Sequence, residues 1–218
     1  MGKAKQIVVK VIGSKHANNF VKKHHYSNKV VPNSNLHFGC FLDNKLHGVL
    51  SYGSPFMKTK VLPLVENTGW SEMLELNRMA FDDFLPRNSE SRCIAITIKM
   101  IKKNAPHIKW ILSYADATQC GDGTIYRASG FLLTQIKKNT SIMKLESGEV
   151  VASMTYTKGK NILKQGGRAG IPKGATYLTG YMLRYIYLID KKAKLNVPIL
   201  PFSEIEKQNV GMYKGKMR

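Results

Sequence analysis

The residues best suited to chemistry lie in one stretch, DATQCGDGTIYRASGF, residues 116–131. It follows directly on IKWILSYAD, a continuous apolar run of strand type bounded by Pro106 and Asp116. A turn after a buried strand needs one or two loop formers. Here Asp116, Cys120, Gly121, Asp122 and Gly123 crowd together, and Tyr126 follows at once. These are the residue types of acid–base chemistry: a carboxylate to accept a proton and a phenol to give one. Asp116 would also serve as the start of an Asx turn, a purely local role. Cys120 is a potential nucleophile or metal ligand, although a lone cysteine more often only packs. A second stretch, PRNSESR, sets Arg87, Ser89, Ser91 and Arg92 at the start of a predicted helix. Hydroxyls, guanidinium groups and helix N-terminal N–H groups bind phosphate there. The plainer alternative is a serine-capped, charged helix start with no ligand.

The elements that must position these residues read clearly. KQIVVKVI is a Val- and Ile-rich strand, and GSKHANNFVKKHHYS is a helix with Ser14 as N-cap. LHFGCFLDNKLHGVLSYGSP is a hairpin turning at Asp43-Asn44-Lys45. WSEMLELNRMAFDD gives a strand centred on 74–81, broken by Pro86 and Asn88. SESRCIAITIKMIKKNAP is an amphipathic helix capped by Ser89 or Ser91, with Lys102 and Lys103 at its negative end. DGTIYRASGF is a short helix stopped by Gly130, and FLLTQIKKN is the next strand. KLESGEVVASMTYTK reads as a hairpin, and GYMLRYIYLI as an aromatic strand after a Gly- and Lys/Arg-rich loop. This order predicts an α/β (α+β) fold in which helices flank a mixed sheet. Ligands in such sheets sit beyond the carboxyl ends of the strands, where Asp116 stands.

Composition narrows the partners. There are 34 Lys and Arg against 14 Asp and Glu, a net charge of +20. That excess is the electrostatic footprint of nucleic-acid binding. No apolar run approaches the roughly 18 residues that span a membrane. MGKAKQIVVKVIG has charges within its apolar run and no small-residue cleavage site, so it does not read as a signal peptide. Cys40, Cys93 and Cys120 are odd in number and widely spaced, which suits a reducing compartment and forms no zinc pattern. His25, His37 and Asp116 could meet in space around a metal, but their spacing does not show it, and the metal stays unknown.

The segment TIYRASGF, with Tyr126 four residues before Gly130 and five before Phe131, resembles a signature of the GNAT acyltransferase superfamily. There a helix ending in Tyr-x-x-x-Gly-Phe follows a central strand, and the tyrosine lies near the thioester of acetyl-CoA. A C-cap glycine beside a packed aromatic accounts for the same letters. PRNSESR stands where that superfamily carries its glycine-rich pyrophosphate loop, and it contains no glycine.

A broader resemblance joins ELNRMAFDDFLPRNSESRCIAITIKMIKK, IKWILSYADATQCGDGTIYRASGFLLTQIKKN, LRYIYLID, VPILPFSEI and HHYSNKVVPNSNLHFGCF. Together these resemble the Mom DNA-modification proteins of bacteriophages. The resemblance implies a single GNAT-like domain over 1–218 with a mostly antiparallel central sheet. A basic, loop-rich C-terminal extension would begin at about 158. It also implies carbamoylmethylation of adenine in phage DNA, which blocks host restriction, in the cytoplasm of the infected bacterium. Carried over position by position, the site falls on His25, Tyr26, Arg78, Ser91, Asp116 and Tyr126. The chemistry is compatible. The adenine N6 lone pair is delocalised, so reaction needs a proton acceptor (Asp116), a proton donor (Tyr126) and charge stabilisation. His25 is expected to titrate in the useful range, although a histidine in HHY could equally lie on a basic surface. Arg78, in a strand that is otherwise apolar on one face, needs a carboxylate or phosphate partner. Arg78, Arg87, Ser89, Ser91 and Arg92 would hold the cofactor, expected to be acetyl-CoA. An aminoacyl-tRNA carrying glycine is the alternative donor, and a non-enzymatic basic DNA-binding protein the alternative function.

Double-stranded DNA is the expected partner, with tRNA beside it if tRNA is the donor. Lys158, Lys160, Lys164, Arg168 and Lys173, together with the basic tail 207–218, are the expected phosphate contacts. Tyr181 and Arg184 belong to the expected DNA surface, and Tyr177 and Tyr185 could stack on a base. Alternating aromatics in a strand are otherwise core.

Overall fold

The computed structural model describes residues 3–153 and 173–217. Its centre is a seven-stranded sheet. The strands are β1 (Val8–Val11), β2 (Ser34–Leu42), β3 (Lys45–Gly53), β4 (Met73–Phe81), β5 (Trp110–Asp116), β6 (Leu132–Asn139) and β10 (Gly180–Leu188), in the order β1-β2-β3-β4-β5-β10-β6. Every neighbouring pair is antiparallel except β4–β5. The mixed, mostly antiparallel sheet expected from the sequence is therefore what the chain forms. Beyond it, β7 (Ile142–Lys144), β8 (Val150–Ala152) and β9 (Thr176–Tyr177) make a small sheet. A last hairpin joins β11 (Met212–Tyr213) and β12 (Lys216–Met217). Residues 180–188, past the point where the loop-rich extension was expected to begin, run as a strand inside the main sheet.

The β2–β3 hairpin turns through Asp43 and Asn44, both at positive φ, which is why small polar residues stand there. Its strands carry apolar side chains on both faces because helices cover both. On one side α1 (Ser14–His24) packs Ala17 and Val21 against Val49 and Ala80. On the other, α3 (Ser89–Asn104) lays Cys93, Ile94, Ile98 and Ile101 over Phe38, Leu50, Tyr52 and Leu76. That spacing is one helical face, and each fully buried aliphatic side chain contributes about 1.5–3 kcal/mol. The short α2 (Lys58–Val61) and the turn after it place Val61, Leu64 and Val65 on Met73, Trp110, Leu112 and Ile186.

The serine caps are corrected. Gly13 is the N-cap of α1, and Asn88, at φ 68°, is that of α3. Ser89 and Ser91 lie inside the first turn, and their hydroxyls donate to the carbonyls of Pro86 and Asn88.

Ile94 is fully buried between α3 and the sheet. Ile94→Ala should lower the unfolding free energy by about 2–5 kcal/mol, read from the denaturant midpoint at unchanged slope. A loss below about 1 kcal/mol would show that α3 is not packed as described.

Candidate active site

The site begins where the sheet divides. The parallel strands β4 and β5 pair only from Met73↔Trp110 to Leu76↔Ser113. At that apex the Ser113 hydroxyl donates to the Leu76 carbonyl at 3.0 Å. Beyond it lies a cleft of about 680 Å³, whose lining includes His25, Tyr26, Arg78, Asp116, Tyr126 and Met212. That volume is in the range of ligand pockets.

Asp116 ends β5 and is 9% exposed. Its Oδ1 accepts from the Thr118 N–H at 2.9 Å, and its carbonyl accepts the N–H groups of Cys120 and Gly121. This is the Asx-turn arrangement raised from sequence. Its Oδ2 accepts from Gln119 Nε2 at 2.7 Å, and the Tyr26 hydroxyl lies 3.5 Å away on the cleft side. One carboxylate thus builds the loop and presents an acceptor to the cleft. Cys120 lines the cleft too, but desolvation and the Asp116 charge raise its thiol pKa, which disfavours a thiolate nucleophile.

Tyr126 sits on α4 (Thr124–Ala128), a helix too short to hold itself in place. Asp122 fixes its start. Oδ1 accepts from the Thr124 N–H and hydroxyl, Oδ2 accepts from the Met212 N–H, and the Asp122 carbonyl accepts from the Tyr185 hydroxyl. Gly123, at φ 85°, allows the close approach, since a Cβ there would meet Tyr185 Cε2 at 2.4 Å. The Tyr126 ring packs against Phe131 and Tyr185, so the C-cap glycine with packed aromatics is also present. Burial pushes the Tyr126 phenol up to about 12, with a Ser113 hydrogen bond opposing. At neutral pH it is a proton donor.

His25 and Tyr26 follow α1. The expected titration of His25 near neutrality is corrected: burial and then the Arg78 charge lower its pKa to about 4. Nδ1 accepts from the Ser27 N–H at 3.1 Å, so the neutral ring carries its proton on Nε2. Desolvation, and then the Asp116 charge, raise the Tyr26 phenol above its ordinary value. Arg78 donates to the carbonyls of Lys29 (2.9 Å) and Asn77 (2.8 Å) rather than to a carboxylate or phosphate.

Sequence reading missed Glu75. It shares a sheet face with Leu112, and desolvation raises its carboxyl to about 7 against the lowering effect of Arg78. Only the register, which turns it toward Tyr114 and Arg78, marks it. Asp122 was seen as part of a turn and not as the clasp it forms.

Of the expected donor-site residues, Arg78, Arg87 and Ser91 line the cleft, joined by Asn88 and Glu90. Ser89 is fully buried with its hydroxyl on Pro86, and the Arg92 guanidinium donates to the Lys5 carbonyl at 3.4 Å. Neither of these two lines the cleft. The first-turn N–H groups of α3 and the Arg87 cation suit phosphate, and the Glu90 carboxylate opposes it.

The expected DNA contacts divide. Lys158, Lys160, Lys164 and Arg168 lie outside the described residues. Lys173 is exposed and Tyr177 is 45% exposed. Tyr181 packs partly against the core, and Tyr185 is fully buried. Arg184 is corrected: it is 9% exposed and donates through Nε to Thr134 Oγ1 at 2.9 Å, because β10 is an interior strand. In the tail, Lys207 pairs with Glu204 and Lys214 with Asp83. Among the described residues no three His, Cys, Asp or Glu group to hold a metal, and the His37 Nδ1 bonds Ser51 inside the sheet.

Glu75 gives a pH signature. Its folded pKa lies above the ordinary carboxylate value of 4.5, so the folded state holds its proton longer, and this residue destabilises the fold as pH rises from 4.5 to about 7. The melting temperature of Glu75→Gln minus that of the wild type should therefore climb across that window and level off above it. A flat difference would mean that Glu75 is solvated.

The profile of the Mom protein family matches residues 6–204. "Methylcarbamoylase mom" of Escherichia phage Mu is 34% identical over 200 residues, covering 88% of this chain and 79% of the relative. Among solved structures, the chain is similar to an acetyl-CoA-bound GNAT family acetyltransferase from Elizabethkingia anophelis. The TM-score is 0.49 at 13% identity, with 84% of this chain and 98% of that one covered. It is also similar to a spermidine/spermine N-acetyltransferase from Vibrio cholerae, with a TM-score of 0.49 at 8% identity over 87% of this chain and 96% of that one. The length of the profile match and the identity to the Mu protein establish that the chain belongs to the Mom protein family.

Proposed function

We propose that the protein is a phage DNA-modification enzyme that places a carbamoylmethyl group on adenine N6 in DNA, and that the product shields phage DNA from host restriction. The observation that carries this reading is the meeting of Asp116, Tyr26, Tyr126 and Arg78 around one cleft in a chain of net charge +20. The Mu relative is named a methylcarbamoylase, which supports transfer of a small amide-bearing group; the carbamoylmethyl form on adenine N6 follows from the family resemblance. The restriction-blocking role follows from the family resemblance.

The residues divide the work. Asp116 Oδ2, held by Gln119, binds the N6 amino group and takes its proton as the new bond forms. Tyr126, protonated at neutral pH, returns a proton to the leaving group. Neutral His25 offers an Nε2 donor, and Arg78 supplies fixed positive charge in a desolvated site, where it stabilises developing negative charge. The target base must leave the duplex to reach Asp116, which is 9% exposed.

For the donor, Arg87, Ser91 and the start of α3 would hold the phosphates of acetyl-CoA. Its acetyl group has the two carbons of a carbamoylmethyl group but neither the amide nitrogen nor the oxidation level of the N6-bound carbon, so a nitrogen-bearing co-substrate and an oxidant would have to act with it. Glu90 on the cleft side and the absence of glycine from PRNSESR favour a second reading, a glycyl-tRNA. A carbamoylmethyl group on N6 has the skeleton of glycinamide.

Mass spectrometry of nucleosides from DNA co-expressed with the protein should show the modified adenine. An unmodified adenine pool would leave only a DNA-binding protein. Asp116→Asn and Tyr126→Phe should each cut modification at least a hundredfold with melting temperatures within a few degrees of the wild type. Full activity in both would remove them from the mechanism.

A thermal-shift assay separates the donors. Acetyl-CoA should raise the melting temperature by mass action, and Arg87→Ala and Ser91→Ala should weaken the rise, while Ser89→Ala leaves it intact. No shift, with activity abolished by RNase, would assign the donor to tRNA.

A further inference from the structure

We propose that Tyr114 is the platform on which the target base stacks once it has left the duplex; the inference rests on the reading above that the substrate is adenine in DNA. Tyr114 is 37% exposed, whereas every other residue of β5 is buried. The strand is interior to the sheet, between β4 and β10. An exposed side chain in the middle of such a strand means that its face of the sheet is open at that point, and Tyr114 lines the cleft. Around it the same face is closed. Leu112, two residues before, is fully buried, while Asp116, two residues after, and Arg184, the partner of Tyr114 on β10, are each 9% exposed. The opening is therefore local, and an aromatic side chain is its floor.

The strand sets what lies beside the ring, because side chains alternate along it. Ile111 and Ala115 join the core beneath α3, and Ser113 shares their face. Trp110 and Leu112 point the other way, onto Val61 and Leu64. Tyr114 and Asp116 continue that second face, two residues or about 7 Å apart. A base resting on the Tyr114 ring can therefore turn its edge to the Asp116 carboxylate, with the Tyr26 hydroxyl 3.5 Å from Oδ2. Tyr126 reaches the gap from the opposite face, through its hydrogen bond with Ser113. A base taken out of a duplex loses the neighbours it stacked on, and an aromatic ring replaces one of them. Such a contact strengthens binding roughly tenfold to a hundredfold and accepts any base. Selection falls to Asp116, which accepts only from a base with an exocyclic amino group.

The test compares two duplexes that differ at one position. One holds an adenine that mass spectrometry finds modified, set opposite a mismatched base so that it leaves the stack easily; the other has an abasic site there. Wild-type protein should bind the adenine duplex about tenfold more tightly than the abasic one. Tyr114→Ala should erase that preference while its affinity for the abasic duplex stays within about twofold of the wild type, because phosphate contacts are untouched. Tyr114→Phe, which keeps the ring, should keep most of the preference. A preference that survives Tyr114→Ala would overturn the platform, as would equal weakening of that variant on both duplexes. Loss of the preference in Tyr114→Phe would assign the effect to the hydroxyl and overturn it too, and so would a wild type that binds both duplexes alike. A protein that modifies no adenine fails earlier, at the mass spectrum, and that result counts against the function itself.

Discussion

The structure depends on a pairing that stops. Two parallel strands hold together over four residue pairs and then separate, and everything of chemical interest lies in the gap. Had β4 and β5 stayed paired in this register, Arg78 would lie opposite Ala115 and Met79 opposite Asp116, across ordinary ladder hydrogen bonds with no room between the strands. The Ser113 hydroxyl closes the apex by taking up the Leu76 carbonyl, so the separation begins without an unsatisfied buried acceptor at that point. Two helices then stand over the opening. One starts beside Arg87 and the other carries Tyr126.

A wide opening needs a stiff rim. Asp122 provides it: its carboxylate holds the start of α4 and, through Met212, the tail, and its backbone carbonyl accepts from Tyr185 of the interior strand β10. The tail closes on the loop a second time where the Gly215 N–H reaches the Cys120 carbonyl at 2.7 Å. A buried carboxylate tolerates desolvation when its lone pairs are filled, and here they are filled by backbone and hydroxyl donors. The short helix beneath Tyr126 takes its rigidity from this clasp rather than from its own five residues.

Local patterns made much of this legible. The Asp-Asn turn, the apolar run that ends at Asp116 and the YRASGF helix stop all reflect forces acting within a few residues, and each lies where those patterns place it. Features set by long-range register were not legible. Arg184 reads as a surface cation among tyrosines, yet β10 slots between β5 and β6 and turns its guanidinium onto Thr134. His25 reads as part of a basic helix face, yet the chain leaves α1 there and folds the ring inward. Ser89 and Ser91 are two residues apart on a helix, so about 200° separates their directions. One hydroxyl turns into the protein and the other residue lines the cleft, a division that residue type alone cannot reveal.

The placement of β10 has a consequence for how the protein comes into being. The partners of this strand, β5 and β6, are made some forty or more residues earlier, and each has an open edge until Gly180–Leu188 arrives between them. Such non-local pairing is slow to form and leaves strand edges exposed in the meantime. During synthesis at about 5–20 residues per second, the nascent chain carries Asp116 and Tyr126 for seconds before the strand that orders them leaves the ribosome. The activity is therefore withheld from the growing chain and switched on late, when the interior strand and then the Met212 clasp fall into place.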